Sequence, residues 1–137
     1  AYPMDSYAKT CALVRSEKNY SIQLNMKHGH LFEFPEFFLF ADQYIRGGKP
    51  MPVVARPVID GGKVRTSVKS ETKLIEAKLH YTTAPHEQNR SRVWKTIELK
   101  VDGHHAQGAA PPSEATVWYI AIRDERKAIV SSKLIVQ

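Results

Sequence analysis

The hydrophobic pattern of this chain changes its period near residue 50, and that change limits the fold more than any other feature. Before residue 50 most apolar side chains recur at helical spacing, whereas from residue 53 onward they alternate with polar side chains in a period of two. A Pro-Met-Pro sequence at residues 50–52 separates the two patterns. We therefore predict an α+β chain with two parts, a helix-strand-helix segment over residues 1–50 and a β-rich domain over residues 51–137.

Two helices and one strand are predicted before residue 50. Asp5 and Ser6 are suitable caps for a helix over residues 5–14, which has apolar side chains at helical spacing. Residues 20–25 alternate apolar and polar side chains, as a strand with one buried face does. A loop over residues 26–30 follows this predicted strand.

The second predicted helix begins at Pro35, because proline suits the first helical position. Glu36 complements the positive end of the helix dipole, and Gly47-Gly48 ends the helix. The predicted apolar stripe of this helix comprises Phe37, Phe40, Ala41, Tyr44 and Ile45.

Beyond residue 52 we predict six or seven short strands and an antiparallel β-sandwich of the immunoglobulin or fibronectin type III kind. The first two strands form a hairpin around Asp60-Gly61-Gly62, since glycine accepts the positive φ of tight turns. The charged turn over residues 124–127 is expected outside the core. The predicted strands are residues 53–59, 64–68, 75–81, 93–101, 116–123 and 128–136, with surface loops over residues 83–92 and 102–114.

Composition excludes several functional classes. Cys11 is the single cysteine, which rules out an internal disulfide and a cysteine-based zinc site. The apolar runs are far shorter than the roughly 20 residues that span a bilayer. The net charge is +6, but the basic and acidic side chains are interleaved, as on the solvent faces of strands. We therefore expect no membrane and no nucleic acid as partner.

The densest chemical signal is His28-Gly29-His30, which lies between the predicted strand and the second helix. Imidazole titrates near neutral pH, so a histidine on a loop beyond a strand end is suited to general-base catalysis, although loop histidines are also common as plain polar surface. A catalytic zinc needs about three protein ligands, and this pair supplies two. We expect no metal and no cofactor. No serine of the chain lies in a Gly-x-Ser-x-Gly elbow, so the sequence offers no activated nucleophile.

Two tryptophans have alternative interpretations. Trp94 and Trp118 lie in predicted strands and are expected in the sandwich core. If both rings were instead exposed and coplanar, they would form a platform for a sugar.

Three stretches resemble the C-terminal end of the α/β-hydrolase domain in bacterial acetyl xylan esterase-like and dienelactone hydrolase-like proteins. They are NMKHGH at residues 25–30, Pro35-Glu36, and FADQYIRGGKPMP at residues 40–52. In that family the last strand ends in a histidine-containing loop, and the last helix closes with a Gly-Gly-x-Pro-x-Pro tail. The later segments AKLHYTT, RVW and AIRD resemble the β-sandwich appendage that follows the hydrolase domain. The likeness extends over nearly all 137 residues.

The resemblance implies a Ser-acid-His triad of which only the histidine segment is present. His30 is the favoured triad base, since it follows glycine as hydrolase histidines often do, and His28 is the alternative. The acid is expected just before residue 1, although Asp5, which is better placed as a helix cap, is not ruled out. We therefore expect a C-terminal fragment of a carbohydrate esterase, inactive alone, whose full-length protein acts on acetylated polysaccharide.

The same resemblance implies an extracytoplasmic or secreted location. The apolar faces of residues 1–50 need cover, which docking onto the sandwich or a homodimer through this segment would provide. The alternative function is a non-catalytic β-sandwich module that binds a polysaccharide or a protein.

Overall fold

A computed structural model describes residues 4–24, 26, 31–85 and 92–137. The helical elements are α1 (Met4–Leu13), a 3₁₀ turn (Leu31–Glu33) and α2 (Pro35–Ile45). The strands are β1 (Val53–Val54), β2 (Val58–Asp60), β3 (Lys63–Lys69), β4 (Leu74–Thr82), β5 (Lys95–Asp102), β6 (His105–Ala109), β7 (Val117–Asp124), β8 (Ile129–Ser131) and β9 (Ile135–Val136).

All strand pairings among the described residues are antiparallel, and they form one sheet in the order β1-β3-β6-β5-β4-β7-β8. β2 pairs with β3, and β9 pairs with β7. The sheet curls until β1 lies against β8, so that it forms a nearly closed, barrel-like sandwich. The predicted α+β class with a β-rich second part is therefore confirmed.

The core lies inside the curled sheet and consists mainly of side chains from β3, β4 and β7. The alternation along β3 is complete, since Val64, Thr66 and Val68 are buried while their neighbours in the strand are exposed. β7 differs because residues 117–120 are all buried, which means that both faces of this strand are covered.

Both predicted helices are confirmed. Pro35 occupies the first turn of α2, and Gly47 just beyond the helix has a φ of 66°, a left-handed conformation that glycine adopts without a Cβ penalty. The predicted hairpin is also present, with Gly61 and Gly62 at φ values of 53° and 75° between β2 and β3.

The predicted apolar stripe of α2 is only partly correct. Phe40, together with Leu39, packs against the core of the sandwich. In contrast, Phe37, Tyr44 and Ile45 are exposed. The helix therefore rests on the sandwich along one narrow face, and most of its aromatic surface points to solvent.

The predicted strand over residues 20–25 is wrong for residues 20–24, which form no strand. Tyr20 makes one isolated antiparallel bridge with Ser131, in which the Ser131 amide donates to the Tyr20 carbonyl oxygen at 2.7 Å. A strand needs a continuous partner, and β8 is only three residues long. Alternation alone did not reveal that the available edge is so short.

The predicted loop over residues 102–114 contains β6, which pairs with both β3 and β5. The small side chains of this segment hid its alternation, in which Ala106 is fully buried between exposed His105 and Gln107. A Cβ at Gly108 would lie 2.6 Å from Cδ2 of Leu99 on β5, so a larger residue there would force the Leu99 side chain to move.

In the predicted strand over residues 75–81, Ile75 alternates with Lys78 and His80 and is expected on the same buried face as Ala77 and Leu79. This is wrong for Ile75, because β4 begins with an irregularity. Leu74 pairs with Asp124 and Glu76 with Arg123, so Ile75 has no partner opposite it. As a result Leu74 is buried while Ile75 is exposed. Val93 is likewise exposed, because β5 begins only at Lys95.

The expectation that residues 124–127 lie outside the core is wrong for Asp124, which is 0% exposed. Its carboxylate accepts hydrogen bonds from the Thr72 hydroxyl at 2.8 Å, from the Arg126 amide at 2.9 Å and from the Ala128 amide at 3.2 Å. It also forms an ion pair with the Arg126 guanidinium, whose Nε lies 2.7 Å from Oδ2. A buried charge is tolerated here because every side of the carboxylate has a donor.

We expect Asp124→Ala to lower the free energy of unfolding by about 3–5 kcal/mol, since it leaves the Thr72 hydroxyl, the Ala128 amide and the Arg126 cation without their acceptor. Urea unfolding monitored by tryptophan fluorescence measures the change as a shift in midpoint at constant m-value. Glu125→Ala is the matched control at the exposed neighbouring position, where about 0.5 kcal/mol or less is expected. Equal losses in the two variants would contradict the central role of the Asp124 carboxylate.

Candidate functional site

The predicted catalytic histidines, His28 and His30, lie outside the described residues. The structure describes Met26 on one side of them and the 3₁₀ turn followed by α2 on the other. Their assignment as a triad base therefore stays a prediction.

A cavity of ≈ 390 Å³ lies between the segment after α1, the helix α2 and the strand β8. Most of its surface is apolar, although several polar side chains lie at its margin. It is lined by Glu17, Lys18, Asn19, Ser21, Gln23, Met26, Phe34, Glu36, Phe37, Phe40, Ala41, Met51 and Val130.

Glu36 is the buried acidic residue of this cavity and is only 8% exposed. Its Oε1 accepts a hydrogen bond of 2.5 Å from the Ile129 amide on β8 and another of 3.3 Å from Nε2 of Gln23. Its Oε2 has no hydrogen-bond partner among the described residues. The position in the first turn of α2 favours the negative charge through the helix dipole, as the sequence predicted, but the burial was not expected.

The other polar side chains of the cavity bind neighbouring groups. Lys18 Nζ donates to the carbonyl oxygens of Cys11 and Val14 at 2.8 and 2.5 Å. The Tyr44 hydroxyl donates to Glu17 at 2.7 Å, and Asn19 donates to the Pro52 carbonyl at 2.8 Å. These contacts place residues 17–23 over the junction of α2 with the sandwich.

Arg126 fixes the other side of the same junction. Its Nη1 donates to the Lys49 carbonyl at 2.9 Å, and its Nη2 donates to the Pro50 carbonyl at 3.2 Å. Because Arg126 is also paired with Asp124, the segment that follows α2 is attached to the best-buried ion pair among the described residues.

A second group of candidate residues lies on the outer face of β4 and β7. His80 and Trp94 both contact the ring of Tyr119, with ring centroids 5.3 and 5.5 Å apart. The Tyr119 hydroxyl is buried without a hydrogen-bond partner among the described residues, and burial, with a smaller contribution from Tyr7, raises its pKa above the ordinary value for a phenol. Such a phenol is a packing group rather than an acid or base at neutral pH.

His80 is half-buried, and its Nδ1 lies 2.9 Å from the Thr96 hydroxyl oxygen. Burial lowers the pKa of His80 below its usual value, and the nearby ammonium of Lys78 acts in the same direction against the weaker opposite effects of Glu98 and Glu76. Sequence reasoning gave no role to this residue, because its burial depends on other segments of the chain, such as β7, which contributes Tyr119.

A row of charged side chains crosses the same face. Lys78 contacts Glu76 at 2.7 Å and Glu98 at 3.6 Å, and Arg123 contacts Glu76 at 3.3 Å. The hydrogen bond from Lys78 lowers the pKa of the Glu76 carboxyl. These partly exposed pairs satisfy one another, which is typical of a solvated sheet face.

The described residues include no group of three or more histidine, cysteine, aspartate or glutamate side chains arranged for a metal ion. In the same part of the chain, no helix has the length and apolar character needed to cross a bilayer. Comparisons of the chain with protein-family models, curated proteins and solved structures found no match. The resemblance to esterases consequently stays a prediction from the sequence.

We expect the stability of the protein to fall as the pH is lowered from about 7.5 to about 5, partly because of His80. Its folded-state pKa is lowered, so the unfolded chain binds protons more readily, and the free energy of unfolding decreases once the pH drops below the unfolded-state value of about 6.5. Thermal unfolding of the wild type and of His80→Gln across this pH range measures the effect, and the slope should be smaller in the variant.

His104→Gln is the matched control, because His104 lies on the exposed turn before β6. This variant should keep the wild-type pH slope. A His80→Gln slope indistinguishable from that of His104→Gln would contradict the expectation.

Proposed function

We propose that this chain is the C-terminal part of a carbohydrate-ester hydrolase, in which His30, or alternatively His28, acts as the general base of a Ser-acid-His triad. The serine and the acid would come from polypeptide that precedes residue 1. In such a triad the histidine takes the proton of the attacking serine hydroxyl and later gives it to the leaving alcohol, and water then releases the acyl group. A chain with the base alone has no route to the acyl-enzyme.

The observation that carries this proposal, beyond the sequence resemblance, is the distribution of exposed apolar surface. Among the described residues, most of the large apolar side chains that are exposed lie before residue 50. They are Tyr7, Leu13, Val14, Met26, Phe32, Phe37, Phe38, Tyr44 and Ile45. An apolar surface of this extent is typical of a face that another part of a protein covers. The sheet of a hydrolase domain is the cover that the resemblance implies.

The attachment of α2 to the sandwich gives the second part of the chain a role in this proposal. The histidine segment leads directly into the 3₁₀ turn and α2, and Glu36 in the first turn of α2 is bonded to the Ile129 amide. The immunoglobulin- or fibronectin type III-like sandwich would therefore brace the last helix of the catalytic domain. The antiparallel pairing of its short strands supports that sandwich class.

The alternative function, a module that binds polysaccharide or protein, has less support. A sugar platform made from both tryptophans needs two exposed rings, but Trp118 is 2% exposed in the core. Trp94 is half-buried and lies edge-on to Tyr119.

We expect the longer protein, which includes the proposed polypeptide before residue 1, to hydrolyse p-nitrophenyl acetate. The 137-residue chain alone should not hydrolyse it. In the longer protein, one of the two variants His30→Ala and His28→Ala should lower kcat by on the order of 10⁴-fold or more, namely the one that removes the triad base. Its far-ultraviolet circular dichroism spectrum should be unchanged. Steady-state assays of the two variants beside the parent identify which histidine it is.

His105→Ala is the matched control in the longer protein, because His105 is exposed on β6. Its kcat should equal that of the parent. Turnover by the 137-residue chain alone, or full activity in both His28→Ala and His30→Ala, would overturn the proposal.

A further inference from the structure

A row of polar and cationic side chains crosses the outer face of the neighbouring strands β3, β6 and β5. Arg65 on β3 is directly opposite Gln107 on β6, and Gln107 is directly opposite Lys100 on β5. Directly opposed residues point to the same face of a sheet, and all three side chains are exposed, so the row lies on the outside of the curled sheet. The usual strand spacing puts the backbones of Arg65 and Lys100 about 10 Å apart.

Two further cations extend this row along β3. Lys63 and Lys69 alternate in step with Arg65 and are exposed on the same face. The surface is called the basic face below, and it consists of Lys63, Arg65, Ser67, Lys69, Lys100, His105 and Gln107. Its four cations form no ion pair and no side-chain hydrogen bond among the described residues.

The charges on the adjacent strands β4 and β7 behave differently. Lys78 contacts Glu76 and Glu98, and Arg123 contacts Glu76, so these charges satisfy one another. The cations of the basic face have no such partners within the chain. An array of unpaired cations on a sheet attracts an anionic partner, because complementary charges favour encounter and fix the register of a complex.

Two carboxylates beside the basic face narrow the chemistry of that partner. Asp60 on β2 is opposite Lys63, and Asp102 on β5 is opposite His105. They favour a partner that offers hydrogen-bond donors as well as negative charge, which a uronic-acid polysaccharide does through its hydroxyl groups and carboxylates. A nucleic-acid backbone presents phosphates, which these carboxylates repel. Single strands also bind by stacking on aromatic side chains, and the basic face has none.

We infer that the basic face binds an acidic polysaccharide, with sugar carboxylates on Arg65 and Lys100 and the Gln107 amide between them. Arginine suits this role because its guanidinium can bind a carboxylate through two parallel hydrogen bonds. Val58, which is opposite Arg65 and 55% exposed, adds an aliphatic surface for the C–H groups of a sugar ring. The inference rests on the proposed function and deepens it, since it makes the acetylated polysaccharide an acidic one.

The test uses the 137-residue chain and a fluorescently labelled oligomer of galacturonic acid that is long enough to cross the three strands. Fluorescence anisotropy at low ionic strength should show saturable binding with a Kd of about 1 mM or tighter, and added salt should weaken it. The same oligomer with its carboxyl groups methyl-esterified should bind at least about tenfold more weakly, because it keeps the hydroxyl groups and loses the charge. The double variant Arg65→Gln, Lys100→Gln should lose about tenfold or more in affinity for the acidic oligomer.

The double variant Lys127→Gln, Lys133→Gln is the matched control, because it removes the same charge from exposed positions before and after β8. It should bind the acidic oligomer as the wild type does. Gln107→Glu is a second variant, which keeps every cation and places a carboxylate between two of them. It should weaken binding by about tenfold or more. All these positions are exposed, so the far-ultraviolet circular dichroism spectra should be unchanged.

Four results would each overturn the inference. They are no saturable binding by the wild type, equal affinity for the acidic and the esterified oligomer, equal losses in the two double variants, and unchanged binding in Gln107→Glu. Tighter binding of an oligothymidylate of the same charge would also overturn it and would assign the surface to nucleic acid. No turnover is measured, so a failure of binding is distinguishable from a failure of the proposed esterase, which the p-nitrophenyl acetate assay detects.

Discussion

The ion pair between Asp124 and Arg126 connects the two parts of the chain. Asp124 is fully buried at the end of β7, and its carboxylate orders the turn into β8 through the Arg126 and Ala128 amides. Thr72, just before β4, donates to the same carboxylate, so one charge holds together two chain segments that are 52 residues apart. Arg126 then reaches the carbonyl oxygens of Lys49 and Pro50, which sets where α2 leaves the sandwich. The position of the helix therefore depends on a charge in the sandwich.

A consequence of this arrangement is the cavity under α2. The helix contacts the sandwich through Leu39 and Phe40 at its middle and through Glu36 at its beginning. Residues 17–23 close over the remaining gap by polar contacts such as the one from Asn19 to the Pro52 carbonyl. Polar contacts with fixed directions do not fill a gap as packed side chains do, so an apolar cavity is left beside one buried acid. The same loose packing leaves Phe37 and Phe38 exposed, which is the surface that the proposed hydrolase domain would cover.

Much of the secondary structure was predictable from local chemistry. Pro35 with Glu36 marked the beginning of α2, and Asp60-Gly61-Gly62 marked the hairpin. Proline fixes φ at a helical value and glycine allows a positive φ, and both effects depend little on the rest of the structure. The alternation in β3 was equally clear. Predictions failed where the answer depended on a neighbour. Residues 20–24 met a strand of only three residues, Ala106 and Gly108 lie in a strand of small side chains, Ile75 was displaced by an irregular pairing, and Asp124 is buried beside Thr72.

The candidate functional residues also divide into those that the sequence predicted and those that only the tertiary structure revealed. The sequence by itself determined the helices, the β-rich second part, the His28-Gly29-His30 segment and the absence of a Gly-x-Ser-x-Gly nucleophile, because these follow from residue type and spacing along the chain. Only the tertiary structure decided that Asp124 and Glu36 are buried and that His80 lies against Tyr119. The burial of a carboxylate depends on the side chains and amides that approach from distant segments, such as Thr72 for Asp124 and Ile129 for Glu36. No local pattern encodes those approaches, since they are set by how the strands pair and how the sheet closes.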